Sequence, residues 1–481
     1  MNAKNTVLKS LIFKFIERVG VKLIALVISI VLARLLEPKT FGLLAILTVF
    51  VNLCQVFVQG GLNVALIQTP KIEKKDYSTV FWISLLIAVV LWLILFISAP
   101  LISYYYNTNE LIQPLRVLAI SLLFGAFNSV QTAQLSRNMS FGVQLICNLI
   151  TTLIAGIIGI IMAYLGYGLW ALVSYHLLSQ VILCFAMLFA AKWRPRFEFS
   201  VPRARELVKY GWKIMFSNVF YSLYTDIRSL IIAKEFSTES LAYYDRGIQL
   251  PSTVSNNLDS AIQSVMLPAL SKQQDNTHII KEKLRKIVQI STFLITPLMF
   301  GIAAISEEFV YIFLSSKWKE SIPYIIVFSI GYVFLPVSSS CNVAIKAIGR
   351  SDVYGKNQAI RIIVMIIILI ISVFVFHDVF SIAIGYSLSL FTEMIIAIFP
   401  ANKYIGYRYK DVLADVFENI FPALIMGVIV YALGYIRITY SLRLLLKIIV
   451  GILSYLGVCH VMKNRNMDYV ASLAKKMLHK G

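Results

Sequence analysis

The sequence predicts an all-α polytopic membrane protein of about 14 transmembrane helices. Three observations predict it. First, 59% of the 481 residues are hydrophobic and only 14% are charged, where a soluble domain carries about 25% charged residues. Second, apolar windows long enough to cross a bilayer recur along the whole chain. Third, Lys and Arg collect in every second loop. Length alone would suggest roughly three globular domains, but stretches such as 85–97, 154–165 and 362–376 hold almost no charge. Water-exposed domains could not bury so many apolar side chains. Five Cys, all within apolar runs, exclude a secreted disulfide scaffold, and missing heptad charges exclude a coiled coil.

Taken in order, the windows fall at 11–34, 41–66, 79–103, 112–135, 142–164, 169–191, 210–233, 241–268, 287–306, 322–345, 353–376, 380–402, 417–436 and 441–462. The first contains Glu17, Arg18 and Lys22 and has no small-residue cleavage site. It reads as a retained helix, not a cleaved signal. The eighth is the most polar, interrupted by Pro251, Ser252, Asn256, Asn257 and Asp259, so it must face other helices or water. Tyr and Trp near span ends, such as Tyr104, Tyr164, Trp170 and Trp318, read as interfacial belts.

With the N-terminus in the cytoplasm, the inside loops carry 28 Lys or Arg and the outside loops 7. That bias predicts cytoplasmic termini. The net charge of +20 therefore reads as topology and anionic headgroups, not nucleic-acid binding. The longest cytoplasmic connection, 192–209, holds Trp193, Arg194, Arg196, Arg203 and Arg205. It joins two six-helix halves. The expected lobes are 1–200 and 201–403, with two additional helices and a tail in 404–481. Every loop is short, so no soluble domain is attached.

The halves echo each other at an offset of two hundred. Ala33, Arg34, a polar turn and Phe41 are matched by Ala233, Lys234, a polar turn and Leu241. Arg137 after span four is matched by Arg350 after span ten. Six spans separate the repeats, so both enter from the same side. They are parallel repeats about an axis along the membrane normal, an arrangement transporters use for alternating access.

The run Leu32-Ala-Arg34-Leu-Leu-Glu-Pro-Lys-Thr-Phe41-Gly42, with Gly60-Gly-Leu-Asn-Val-Ala-Leu-Ile-Gln68, resembles the polysaccharide transporter family. Leu135-Ser-Arg137-Asn-Met-Ser-Phe141 and Tyr243-Tyr-Asp-Arg246 fit the same pattern. These are the O-antigen, capsule, exopolysaccharide and teichuronic-acid flippases of the multidrug/oligosaccharidyl-lipid/polysaccharide exporter superfamily. The resemblance implies two six-helix bundles around a central cavity plus two extra C-terminal helices. It implies transfer of an undecaprenyl-diphosphate-linked oligosaccharide across the bacterial cytoplasmic membrane, with a polysaccharide polymerase as a further partner and no enzymatic role.

Fourteen ionisable residues fall inside the spans, and each would cost at least ~2.5–3.5 kcal/mol at the bilayer centre facing lipid. Ten belong to spans one, seven and eight: Lys14, Glu17, Arg18, Lys22, Lys213, Asp226, Arg228, Asp245, Arg246 and Asp259. Lys14, Arg18 and Lys22 recur at i, i+4, i+8 and share one face. Spans one and seven open the two repeats, so a chamber between the halves would be lined by them. Six cations there suit a diphosphate, Arg above all because its planar fork grips phosphate oxygens in pairs. Tyr210, Trp212, Tyr221, Tyr224, Tyr243 and Tyr244 lie nearby, and aromatic faces suit sugar rings.

Candidate substrate contacts are thus Arg18, Lys22, Arg228, Arg246, Lys213 and Tyr224; candidate gating or coupling groups are Glu17, Asp226, Asp245 and Asp259. Each has a plainer alternative. Lys14 can snorkel to the interface, as can Lys213 and Arg246. Asp226/Arg228 and Asp245/Arg246 can be internal pairs that lock a gate. Asp259 and Glu393 have no partner close in sequence and titrate easily once desolvated, so either suits a coupling ion, proton or sodium. Arg361 and Lys447 read as structural, and Arg116 is the remaining cation within the spans. The five His residues lack metal-ligand spacing, and there is no Walker motif. Two other functions compete. A drug/cation antiporter of the same superfamily would want an acid-rich cavity. A polysaccharide polymerase or ligase would want a large outer loop, and no such loop exists.

Overall fold

A computed structural model describes residues 20–191, 193–274, 276–464 and 466–467, with only the backbone described at Tyr221 and Tyr224. All regular structure among the described residues is helical. Helix α1 covers residues 20–35, α2 Pro38–Gln59, α3 Leu62–Gln68, α4 Lys74–Tyr105, α5 Ile112–Ala119, α6 Ser121–Arg137, α7 Phe141–Tyr164, α8 Leu169–Ala190 and α9 Val201–Glu235. Then come α10 Thr238–Ser271, α11 Thr277–Ala304, α12 Ser306–Phe309, α13 Ile322–Tyr332, α14 Leu335–Ala347, α15 Ser351–Phe374, α16 Val379–Ile405, α17 Tyr409–Ala432 and α18 Tyr440–Val461.

Eleven helices of the described chain are long and apolar enough to cross a membrane, several of them from two consecutive pieces. The other three expected spans are the first, seventh and eighth. For α9 and α10 the reason is composition. They run 35 and 34 residues, ample to cross at 1.5 Å per residue. Their charged and polar stripes, with Pro251 and Pro268 inside α10, set them apart from the apolar spans.

The chain divides into two compact units, 1–242 and 243–481. This division lies within α10, and α9 packs on α2, α3 and α4. The approach is close where α2 gives way to α3. Gly60 and Gly61 both take left-handed backbone (φ 54° and 66°), a region open to Gly. A Cβ on Gly61 would stand 2.4 Å from the Gly211 carbonyl of α9.

In unit 1, α7 and α8 form an antiparallel hairpin, and α6 packs on both α4 and α8. Unit 2 repeats this internally: α15 pairs with α16, while α13 and α14 pack on α11 and α16. Both units also break the same expected span. Span four divides at Ile120 into α5 and α6, after a 3-10 turn at Asn109–Leu111. Span ten divides at Val333–Phe334 into α13 and α14, after a 3-10 turn at Ser316–Ser321. In span ten Pro336 lacks the N–H that would continue the ladder.

The connection after α8 lies along the start of α4. Trp193 is buried among Tyr77, Phe81 and Phe127. The Trp82 indole donates to the Arg196 carbonyl at 2.8 Å, and Arg203 grips Asp76 through two bonds of 2.9 and 2.8 Å. Arg137 caps α3 by donating to the carbonyls of Leu66, Ile67, Thr69 and Pro70, which lack helical partners there.

In unit 2, α17 packs along α11, and α18 on α17. At one end, Asp415 of α17 is nearly fully buried and accepts from Arg285 Nε and Nη2 (2.7 and 2.8 Å), Gln289 (2.7 Å) and the Tyr407 hydroxyl (2.8 Å). Asn419, one turn on, bonds Thr292, Asn464 and Asn466. At the other end, buried Glu308 accepts from Lys447 of α18 at 2.9 Å and forms an ion pair with Arg443 of the same helix. Asp415→Ala strips four donors of their acceptor, a loss of about 1–3 kcal/mol. It is expected to lower the thermal midpoint of the purified protein clearly. Asp352→Ala, which removes the solvent-exposed pair with Arg350, is expected to leave the midpoint within about 0.5 kcal/mol of wild type. A midpoint unchanged in Asp415→Ala refutes the docking role of this network.

Candidate functional site

In unit 1 the charged stripe runs along α9. Trp212 and Lys213 are exposed, and Trp212, Phe216 and Phe220 form an aromatic column with successive ring centroids 5.7 and 6.4 Å apart. The Tyr210 hydroxyl hydrogen-bonds the Gln68 side chain at the end of α3. Asp226 is partly buried and accepts from Ser222 at 3.0 Å and Thr225 at 3.3 Å. Arg228 is buried to 6% exposure and reaches the Thr225 carbonyl at 3.4 Å. Two positions apart, Asp226 and Arg228 leave the helix about 200° from each other, so neighbouring helices set what each one meets. Lys22 is exposed on α1. Lys14, Glu17, Arg18 and the Tyr224 side chain lie outside the described residues.

In unit 2 the stripe continues along α10. Asp245 is partly buried. Arg246 is buried at 8% exposure, with its guanidinium 5.1 Å from the centroid of the fully buried Trp318 ring and donating to Gln249 at 2.7 Å. A cation over an aromatic face is favoured most where water is excluded. Tyr243 also packs edge-on against Trp318. One interfacial Trp of the sequence reading is therefore a core residue that seats a cation.

Three turns further, Asp259 accepts from the Ser339 hydroxyl of α14 at 2.5 Å and from Gln263 at 3.2 Å. Gln263 also bonds Ser339. Glu393 of α16 lies within electrostatic reach of Asp259, and its own carboxylate holds Arg361 of α15 at 2.7 Å. Glu393 thus has a partner 32 positions away that sequence proximity could not show. Asn342, Asn357 and Gln358 border the Arg361–Glu393 pair. Asp259 and Glu393 with Arg361 leave an intramembrane cluster with one acid in excess. Such a cluster can hold or exchange a small cation.

Lys447 and Arg361, read as structural, are each in an ion pair. Arg116 stands over the Phe96 ring at 4.4 Å and donates to its carbonyl. Among the described residues no three His, Cys, Asp or Glu side chains cluster as metal ligands. The sequence reading overlooked Asp76–Arg203, Arg285–Asp415 and the Glu308 cluster. Their separations, 127 positions or more in each case, leave no local signal.

A family model described as polysaccharide biosynthesis protein matches residues 31–323. The chain belongs to this family. Relatives in polysaccharide biosynthesis include the succinoglycan biosynthesis transport protein ExoT of Rhizobium meliloti (strain 1021), 23% identical over 353 residues, 73% of this chain and 71% of that one. The teichuronic acid biosynthesis protein TuaB of Bacillus subtilis (strain 168) is 23% identical over 304 residues, 62% of each chain. The fold is that of the lipid II flippase MurJ in its inward closed conformation, with a TM-score of 0.76 at 17% identity, covering 92% of this chain and 97% of that one. This family member is a multi-pass membrane protein with a transporter fold.

All five cysteines are buried, so the native chain offers little background to a membrane-impermeant maleimide. Lys213→Cys is expected to label at least several-fold faster than Arg246→Cys. Equal labelling would place Arg246 in open water and remove its seat on Trp318.

Proposed function

We propose that this protein is a flippase that carries polyprenyl-diphosphate-linked oligosaccharide repeat units across the bacterial cytoplasmic membrane for surface polysaccharide assembly. The observation that carries the reading is the concentration of cations and tyrosines in α1, α9 and α10 of a chain from a polysaccharide biosynthesis family with a MurJ-like fold. In this reading the protein alternates between inward- and outward-open states. Arg18, Lys22, Lys213, Arg228 and Arg246 attract the diphosphate, and Tyr224 meets the sugars. The lipid tail stays in the bilayer. Both termini lie in the cytoplasm, as the Lys/Arg bias requires. Glu17, Asp226 and Asp245 act at gates.

Coupling falls to Asp259. It lies in a span, bonded by neutral donors, while the neighbouring Glu393 is neutralised by Arg361. A carboxylate so placed exchanges a proton or holds a sodium ion at low cost. The competing drug/cation antiporter is disfavoured by charge. Spans one, seven and eight hold six cations against four acids, and a cationic cargo would be repelled.

Two measurements test this. Arg228→Ala and Arg18→Ala are each expected to cut surface polysaccharide at least tenfold with membrane protein levels unchanged. Normal polymer in both variants would remove the cargo assignment. Asp259→Asn is expected to export at a rate that no longer responds to collapse of the transmembrane proton or sodium gradient. An unchanged response would take the coupling role from Asp259.

A further inference from the structure

The Glu308 cluster builds a recess that the reading above does not use. Helix α18 brings Lys447 and Arg443 to the buried Glu308 carboxylate at 2.8 and 2.7 Å. Both cations are spent there: Lys447 also donates to the Ala304 carbonyl at 2.9 Å and Arg443 to the Gly434 carbonyl at 2.7 Å. The cluster clamps the segment after α11 to the turn between α17 and α18. Between them lies a recess of about 260 Å³ lined by Glu307, Tyr311, Tyr431, Tyr435 and Lys447, with Ile322 and Ile326 as its apolar wall.

We propose that this recess is a carbohydrate-binding site that takes one or two neutral sugar rings. The groups left for a guest are hydroxyls, aromatic faces and one carboxylate. The tyrosine hydroxyls of residues 311, 431 and 435 make no hydrogen bond with any described residue. Glu307 is half exposed and stands 3.6 Å from Arg443, so its oxygens remain available to accept from sugar hydroxyls. Tyr311 is held rigid by stacking on Tyr440, centroids 4.8 Å apart at 18°. Tyr431 and Tyr435 meet edge to face at 89°. The C–H face of a pyranose is apolar and weakly positive, the complement of the negative π face.

Charge decides against a phosphate or an anionic headgroup. Glu307 and Glu308 balance Arg443 and Lys447; the Lys447 ammonium at the wall is already held by the buried Glu308 carboxylate, which an anion would have to displace. Size sets the guest: the recess is below the ~300–1,000 Å³ that encloses drug-sized ligands. Glu307 and Tyr311 fall in a loop expected on the outer face, 306–321, and Tyr435 opens another, 435–443. That the natural guest is the sugar head of an arriving glycolipid rests on the flippase reading; the sugar chemistry of the recess does not.

The test uses the full-length protein in phosphatidylcholine nanodiscs, with methyl glucoside, methyl galactoside, N-acetylglucosamine and sucrose as probes. Saturation-transfer NMR is expected to show transfer to at least one probe. Transfer should fall at least fivefold in Glu307→Gln and in Tyr435→Ala, which alters a highly exposed ring, with thermal midpoints unchanged. Tyr164→Ala, an exposed tyrosine of unit 1, should retain it, and inorganic phosphate should not compete. No transfer in the wild type, equal transfer in all variants, or displacement by phosphate would each overturn the site. Because no export is measured, failure here leaves the Arg228 assay standing, and failure of that assay leaves this one readable.

Discussion

An ion inside a bilayer is tolerable only when protein, not hydrocarbon, surrounds it, and this constraint organises the chain. Each apolar helix satisfies its own backbone, so the spans need no further explanation than length and composition. The charged side chains do. Arg361 is held by Glu393, Lys447 and Arg443 by Glu308, and Arg285 by Asp415. Each pair joins two helices, so the ionic bonds that make these residues affordable also fix which helices touch. Breaking such a pair leaves a charge without its counter-ion, which is why these contacts specify packing more than they add stability.

The two units solve the same problem in the same way. Each places a hairpin of its last two repeat helices against a broken span, and each precedes that broken span with a 3-10 turn. A break in a span frees backbone groups that neighbouring helices and Ser or Thr hydroxyls then occupy. Ser338 and Ser340 are buried on α14, and Asn128 and Gln131 on α6. Asn128 bonds Gln180 of α8, and Gln131 bonds the Trp193 carbonyl.

Helices α9 and α10 follow a different rule. They carry the densest intramembrane charge and much of the aromatic content, and two of their carboxylates accept from neutral side chains: Ser222 and Thr225 at Asp226, and Ser339 at Asp259. Neutral partners hold a charge in place without cancelling it. That separates these two carboxylates from Asp415 of α17, which is met by a guanidinium.

The membrane class and the positions of eleven spans were legible in the sequence, because hydropathy is a property of short windows. The exceptional nature of spans seven and eight was legible for the same reason: Asp226, Arg228, Arg246 and Asp259 are polar wherever the chain goes. What each of them touches was not. Trp318 read as a belt residue and proved to be the seat of Arg246; Glu393 has no partner close in sequence and holds Arg361 across 32 positions; α9 packs on α2, α3 and α4. A local pattern states that a charge must be sheltered. Only the folded chain decides by what, since the sheltering group comes from a helix tens to hundreds of residues away.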